Sequence, residues 1–241
     1  MAKDKFIIAA DSRAVFNGRL ENNDCKIAVF SHRFVFATSG GAGYRPAKEG
    51  DLAPAFGSVA EARRAVRSLP GAAGNGLDSV ADAWAHKMTA NFRSLYSIHP
   101  QVVLEAAAKG RGTLTNGLFA TAIKGEILLA FRSITFGLGR PEAVMAESIS
   151  QDCATRICAT GVTDVFEEYT SSPPKSERAK REGILSPTAD ETARIRRLVQ
   201  LSILHARLAD GIGGPIDVME LWNDGSIRWV SRKCNCPDNE D

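Results

Sequence analysis

Three residues near the start of the chain, Asp11, Lys26 and Gly40, are of the types needed to hydrolyse an amide. Attack by a side-chain hydroxyl or thiol requires something to accept its proton and something to hold the developing oxyanion. A buried lysine beside the nucleophile adds positive charge that favours the ionised nucleophile. Such a lysine must itself be paired or it would neutralise, and a neighbouring aspartate does this. A glycine turn after a strand lets the backbone approach a substrate closely and aim an N–H at the oxyanion. The turn here is Gly40-Gly41-Ala42-Gly43. A nucleophile at a chain N-terminus would also bring its own base, because a free α-amino group has a pKa of about 8.

These residues need strands to position them. Residues 6–10 form a short apolar run that reads as a strand buried on both faces. Residues 25–30 and 34–38 read as two more strands, joined by the polar Ser31-His32-Arg33 turn. A helix is expected over residues 59–69, stopped by Pro70, with a flexible Gly-rich link over 71–76. Val80, Trp84, Met88, Phe92 and Leu95 then recur at spacings of one helical turn, with Asp78 as the expected N-cap. Helical potential resumes after Pro100 and ends at Gly110. Residues 118–123 and 126–132 flank Lys124-Gly125 as a hairpin. A strand over 155–160 and a capping box at Thr188 and Glu191 follow. The helix opened there carries Ile195, Leu198, Val199, Leu201, Leu204 and Leu208, a face suited to covering a sheet. A last hairpin, 216–222 with 227–230, turns on Asn223-Asp224-Gly225-Ser226.

Hairpins dominate and regular βαβ alternation is absent, which argues against a doubly wound parallel sheet and for an α+β fold. With 241 residues, 44% hydrophobic and 24% charged, the chain can bury one large core, expected over 1–236 with a frayed acidic tail at 237–241. A net charge of +2 gives no reason to invoke nucleic acid. The basic stretch 175–181 reads as a solvated helix face. No apolar run is long enough to suggest a membrane span. Five cysteines in a chain of this size imply no need for disulfide staples and a reducing, cytoplasmic setting.

Taken in order, Asp11-Ser12-Arg13, Lys26, Gly40-Gly41 and Gly213-Gly214-Pro215-Ile216-Asp217-Val218 resemble the signatures of the proteasome-type N-terminal-nucleophile hydrolases, the proteasome β-subunits among them. The resemblance implies a four-layer αββα sandwich of two antiparallel sheets with helices outside each. It implies a threonine-type peptidase or amidohydrolase acting on a peptide or small amide substrate, without metal or organic cofactor. Catalytic roles pass to Asp11, which orients and balances Lys26, to Lys26, which tunes the nucleophile, and to the backbone N–H of Gly40, which stabilises the oxyanion. Self-association into a homo-oligomer or ring with sister subunits is implied as well; nucleic-acid and membrane partners are not.

The chain departs from the family in two places. Ile212 stands where the family carries a serine, and Asp210 is one residue out of step with a nearby family aspartate. More seriously, family spacing puts the nucleophile about half a dozen residues upstream of Met1. Ala2 cannot attack a carbonyl, and Ser12 and Thr38 are internal and carry no free amine. Two readings stand: an active hydrolase whose start lies upstream, or a non-catalytic scaffold subunit that keeps the fold for assembly.

Other candidates have plainer readings. Cys234-x-Cys236 with Cys153 and Cys158 fits no standard zinc spacing. His32, His86, His99 and His205 are scattered without partners at ligand spacing. Gly137-Leu138-Gly139-Arg140-Pro141 lacks the third glycine of a dinucleotide loop.

Overall fold

The computed structural model describes residues 4–16, 19–21, 25–46, 49–68, 76–145, 190–205, 212–233 and 236. It is a mixed α+β fold in which every strand pairing among these residues is antiparallel. The strand expected over 155–160, the basic stretch 175–181, the Gly-rich link 71–75, Thr188, Leu208, Asp210 and the tail 237–241 lie outside the described residues.

The larger sheet has five strands. β4 (Ile27–Phe30) and β5 (Phe34–Gly40) form its first hairpin, with Ser31 and His32 at positive φ in the turn. β8 (Thr113–Ile123) and β9 (Glu126–Gly137) form its second, turning on Lys124 and Gly125 with φ of 52° and 83°. Two consecutive positive φ values match the right-handed strand twist, which is why glycine is useful there. β10 (Arg140–Met145) adds to β9 through a hairpin turn at Leu138-Gly139, both at positive φ. The order is β10-β9-β8-β5-β4. A three-stranded sheet of order β1-β11-β12 comprises β1 (Lys5–Asp11), β11 (Ile216–Trp222) and β12 (Ile227–Ser231). Two short hairpins complete the strands: β2 (Ala14–Phe16) with β3 (Arg19–Glu21), and β6 (Gly43–Tyr44) with β7 (Phe56–Gly57).

Two apolar clusters follow from strand alternation. Ile27, Val29 and Val35 from the larger sheet meet Ile8, Met219 and Leu221 from the smaller one, so the two sheets share a core. The opposite parity in β4 and β5, Phe30, Phe34 and Phe36, faces the helices. These are α1 (Ser58–Ser68), α2 (Leu77–Ile98) and α3 (Pro100–Lys109). The stripe Val80, Trp84, Met88, Phe92 and Leu95 is buried throughout, as its spacing requires. Trp84, Phe36 and Phe119 form an aromatic trio, Phe36 tilted against both and Trp84 edge-on to Phe119.

α4 (Glu191–His205) contacts β1 and β11, burying Leu198 and Leu201, while Leu204 stays exposed. Its anchor is polar. Buried Glu220 of β11 accepts hydrogen bonds from Thr192 (2.6 Å), Lys5 (2.7 Å) and Arg228 (3.1 Å). Burial alone would raise the Glu220 carboxyl; the Lys5 and Thr192 hydrogen bonds and the nearby Lys5 and Arg228 charges outweigh it and hold it below the usual carboxylate range.

Three expectations are corrected. β1 is not buried on both faces: only Ile8 is fully buried, and among the described residues β1 lies at the edge of its sheet. Asp78 does not cap α2. Gly76 occupies the N-cap, and the Asp78 carboxylate is taken instead by Arg132 of β9 (2.9 Å), which also binds Asp82 (2.7 Å). The α4 start is capped by Asp190, whose carboxylate accepts from the Thr192 N–H at 3.2 Å, so the helix begins beyond the register a Thr188 box requires.

Tyr44, Asp51 and His99 tie the β6–β7 hairpin to the α2–α3 junction. Asp51 accepts from the Tyr44 hydroxyl, from the Ala53 N–H (3.0 Å) and binds His99 Nε2 (2.8 Å). The Tyr44 and His99 bonds hold the Asp51 carboxyl down at about 2, while burial and Asp51 push the Tyr44 phenol up to about 12. Asp51 therefore contributes stability above its ordinary value of 3.8, lost as pH falls towards 2. Tyr44 contributes below its ordinary 10.0, lost as pH rises towards 12. Urea midpoints measured against pH should fall at both ends. Asp51→Asn should flatten the acid limb, and an unchanged acid limb would contradict this assignment.

Candidate functional site

The chain folds Asp11 and Lys26 together. Asp11 ends β1, and its Oδ1 accepts from Lys26 Nζ at 2.8 Å. Both side chains are largely withdrawn from water, at 14% and 10% exposure, so the pair is more than a surface contact. The second carboxylate oxygen accepts from the backbone N–H of Gly213 (2.8 Å) and of Arg13 (3.2 Å). One carboxylate thus joins the end of β1, the start of β4 and the segment before β11.

Ser12 and Arg13 have structural roles beside it. Ser12 is fully buried and its N–H donates to the Gly213 carbonyl at 3.0 Å. Arg13 Nη1 donates to the Ile212 carbonyl at 3.0 Å, and its guanidinium lies over Gly213. A Cβ on Gly213 would sit 2.4 Å from the Arg13 Cζ, and Gly213 has φ of 152°. The first glycine of the Gly-Gly pair is therefore required by the Asp-Ser-Arg turn. Gly213→Ala should cost about 1–3 kcal/mol from strained φ and a displaced Arg13. Chemical denaturation reads this directly, and a change within 0.5 kcal/mol of zero, roughly the scatter of a neutral surface substitution, would contradict the clasp.

Gly40 closes β5 at φ 83° and is exposed. A Cβ there would lie 2.9 Å from the Leu114 carbonyl, so β8 presses on this turn and only glycine fits. The Gly41 N–H is committed to the Leu114 carbonyl at 2.7 Å. The Lys26 carbonyl accepts from the Thr38 N–H at 2.9 Å, which ties Lys26 to β5 two residues short of Gly40. Beneath the turn lies a hydroxyl-rich layer: Thr38 bonds Ser58 (2.9 Å) and the Asn116 carbonyl (2.9 Å), and Asn116 accepts from Ser133 (2.7 Å).

Two features escaped the sequence reading. Asp217 and Lys233 form a second buried pair at 3.0 Å, and the Lys233 N–H also donates to Asp217 (2.9 Å). Asp217 sits opposite Ala10 in the β1–β11 register, one position from Asp11. The Gly-Gly-Pro-Ile-Asp-Val motif contained Asp217, but nothing near Lys233 marked it as the partner. The other feature is a disulfide between Cys25 and Cys236, Cα atoms 5.6 Å apart, which corrects the expectation of a chain without disulfide staples. Its ends are 211 residues apart, a pairing that no local spacing announces. Cys153, Cys158 and Cys234 lie outside the described residues.

Among the described residues no helix is long and apolar enough to cross a membrane. No protein-family model matches this chain, and none of the curated proteins matches its sequence.

Proposed function

We propose that this chain has the proteasome-type N-terminal-nucleophile fold and is the framework of a hydrolase of peptide or other amide bonds, whose nucleophile its residues 1–241 do not supply. The observation that carries the reading is the Asp11–Lys26 ion pair, bound through Asp11 to Gly213, which joins three motifs far apart in sequence. The four-layer αββα arrangement is part of the same proposal. It is supported by the shared core between the two sheets, by α1–α3 packed on the larger sheet and by α4 against β1 and β11.

In this reading the nucleophile is a Thr, Ser or Cys with a free α-amine, held on a strand along the β1 edge that has no partner among the described residues. The amine takes the hydroxyl or thiol proton as the oxygen or sulfur attacks the amide carbon. Lys26 supplies the positive charge that favours the ionised nucleophile, and Asp11 fixes the Lys26 side chain. The tetrahedral oxyanion is held by the Gly40 N–H. Collapse expels the amine product with the proton, and water then hydrolyses the acyl intermediate. Assembly with further copies or sister subunits belongs to the same reading.

The test is labelling of protein purified from its own cells with a β-lactone, which acylates such nucleophiles, followed by mass spectrometry of the modified peptide and of the N-terminus. Acylation of an N-terminal Thr, Ser or Cys is expected, slowed by a factor of about 10² or more in Lys26→Ala. Folded protein with no acylation and no such N-terminal residue would overturn the hydrolase reading and leave the assembly role.

A further inference from the structure

An oxyanion donor at Gly40 depends on which way its N–H is turned, and β8 holds that direction. Successive N–H groups along a paired strand point to opposite sides. Thr38 N–H donates to the Lys26 carbonyl on the β4 side, at 2.9 Å. Gly40 N–H, two residues on, is therefore turned to the same side. Gly41 N–H points the other way, to the Leu114 carbonyl of β8 at 2.7 Å. The Ser39 carbonyl lies anti to Gly40 N–H across one trans peptide, so it too faces β8.

That peptide is the one the sheet restrains least. Gly40 is the last paired residue of β5, opposite Thr115, and glycine tolerates the change of φ by which the Ser39–Gly40 plane would flip. A flip would put the Ser39 carbonyl where the N–H is needed, a dipole of the wrong sign for an oxyanion. Thr115 removes this freedom. Its side chain is fully buried, and its hydroxyl donates to the Ser39 carbonyl at 3.2 Å. Each hydroxyl has one hydrogen to give. Thr38 Oγ1, 3.5 Å from Thr115 Oγ1, gives its hydrogen to the Asn116 carbonyl at 2.9 Å, which leaves that of Thr115 for Ser39. The shape of β8 brings this about. Its register shifts between Thr113 and Thr115, so Leu114 is an extra residue relative to β9. Bulges re-aim the groups beside them. Here the Leu114 carbonyl and the Thr115 hydroxyl bind two successive peptides of the Gly40 turn.

We propose that Thr115 is a positioning residue of the oxyanion site, whose hydroxyl locks the Ser39–Gly40 peptide with the Gly40 N–H turned to the Lys26 side. Thr115 touches no substrate and acts through Gly40. The catalytic consequence rests on the hydrolase reading above, whereas the lock is a property of the fold.

Thr115→Val replaces the hydroxyl by a methyl group, and Thr115→Ser keeps the hydroxyl. Wild type and both variants are purified from the protein's own cells, and acylation by a β-lactone is followed against lactone concentration. In Thr115→Val the limiting acylation rate should fall by a factor of about 10 or more, with the half-saturating concentration unchanged. Thr115→Ser should acylate like wild type. Hydrogen–deuterium exchange of the same proteins reads the lock without reference to chemistry. Peptides covering 39–43 should exchange several-fold faster in Thr115→Val and not in Thr115→Ser, with the turn at 124–125 unchanged in both. Unchanged exchange in Thr115→Val would overturn the lock, and an unchanged acylation rate would overturn the positioning role. A loss shared by Thr115→Ser would trace to packing rather than to the hydroxyl and would overturn both. If exchange responds as expected and no form is acylated, wild type included, it is the hydrolase reading that fails, and the oxyanion role with it.

Discussion

Replacing Asp11 by alanine should destabilise the protein by about 3–5 kcal/mol, more than replacing its partner Lys26. Removal of the carboxylate leaves Lys26, largely excluded from water, without a counter-charge. It also takes a carboxylate acceptor away from the Gly213 and Arg13 N–H groups. Lys26→Ala is gentler in this respect. Asp11 would keep both backbone donors and its partial exposure, so the loss should be about 1–3 kcal/mol. Asp11→Asn should fall between them, since an amide oxygen still accepts from the backbone. Urea unfolding of the three variants measures the order. If Asp11→Ala were no more costly than Lys26→Ala, the carboxylate would not be the hub of this site. Because the same bonds hold the end of β1 to the segment before β11, Asp11→Ala should also raise hydrogen exchange at Ser12, whose N–H is bound to Gly213.

Trp84 is the second large liability. It is fully buried on α2, donates its indole N–H to the Ser58 carbonyl at 3.1 Å and contacts Phe36 and Phe119. Trp84→Ala should cost about 3–5 kcal/mol through the cavity and the lost contacts. The far edge of the indole rests on Gly117 of β8, where an added Cβ would lie 2.6 Å from the ring. Gly117→Ala alone should therefore cost about 1–3 kcal/mol by overpacking. In the Trp84→Ala background the same change meets open space. It should there be neutral or slightly stabilising, because alanine in a strand loses less chain entropy than glycine. A double-mutant cycle by chemical denaturation reads the coupling. Additive effects would mean that α2 shifts away from the sheet rather than leaving a cavity.

Local order was legible in the sequence wherever the deciding forces are local. The β4–β5 hairpin, the Lys124-Gly125 turn, the buried stripe of α2 and the stop at Gly110 each follow from side-chain periodicity or from a backbone angle that glycine permits. Antiparallel pairing among the described residues followed from hairpins without βαβ alternation. The pairing of Lys26 with Asp11 was expected because a buried lysine needs a carboxylate, and the two are in contact at 2.8 Å. Where local reasoning failed, a distant partner had outcompeted the local one. Arg132 took the Asp78 carboxylate from the helix cap, and β1, at the edge of its sheet among the described residues, keeps most of its side chains half-exposed.

What the chain alone determined, then, is its main hairpins and helices and their apolar faces; the β2–β3 and β6–β7 pairs and β10 emerged only in the structure. Only the tertiary structure decided that Arg13 lies over Gly213, that Asp217 takes Lys233, that Glu220 receives Lys5 and Thr192, and that Cys25 meets Cys236. Each of these joins residues from separate elements, several from opposite ends of the chain. Periodicity fixes which face a residue occupies, but a buried charge or thiol finds its partner only once the sheets have packed and excluded water from between them.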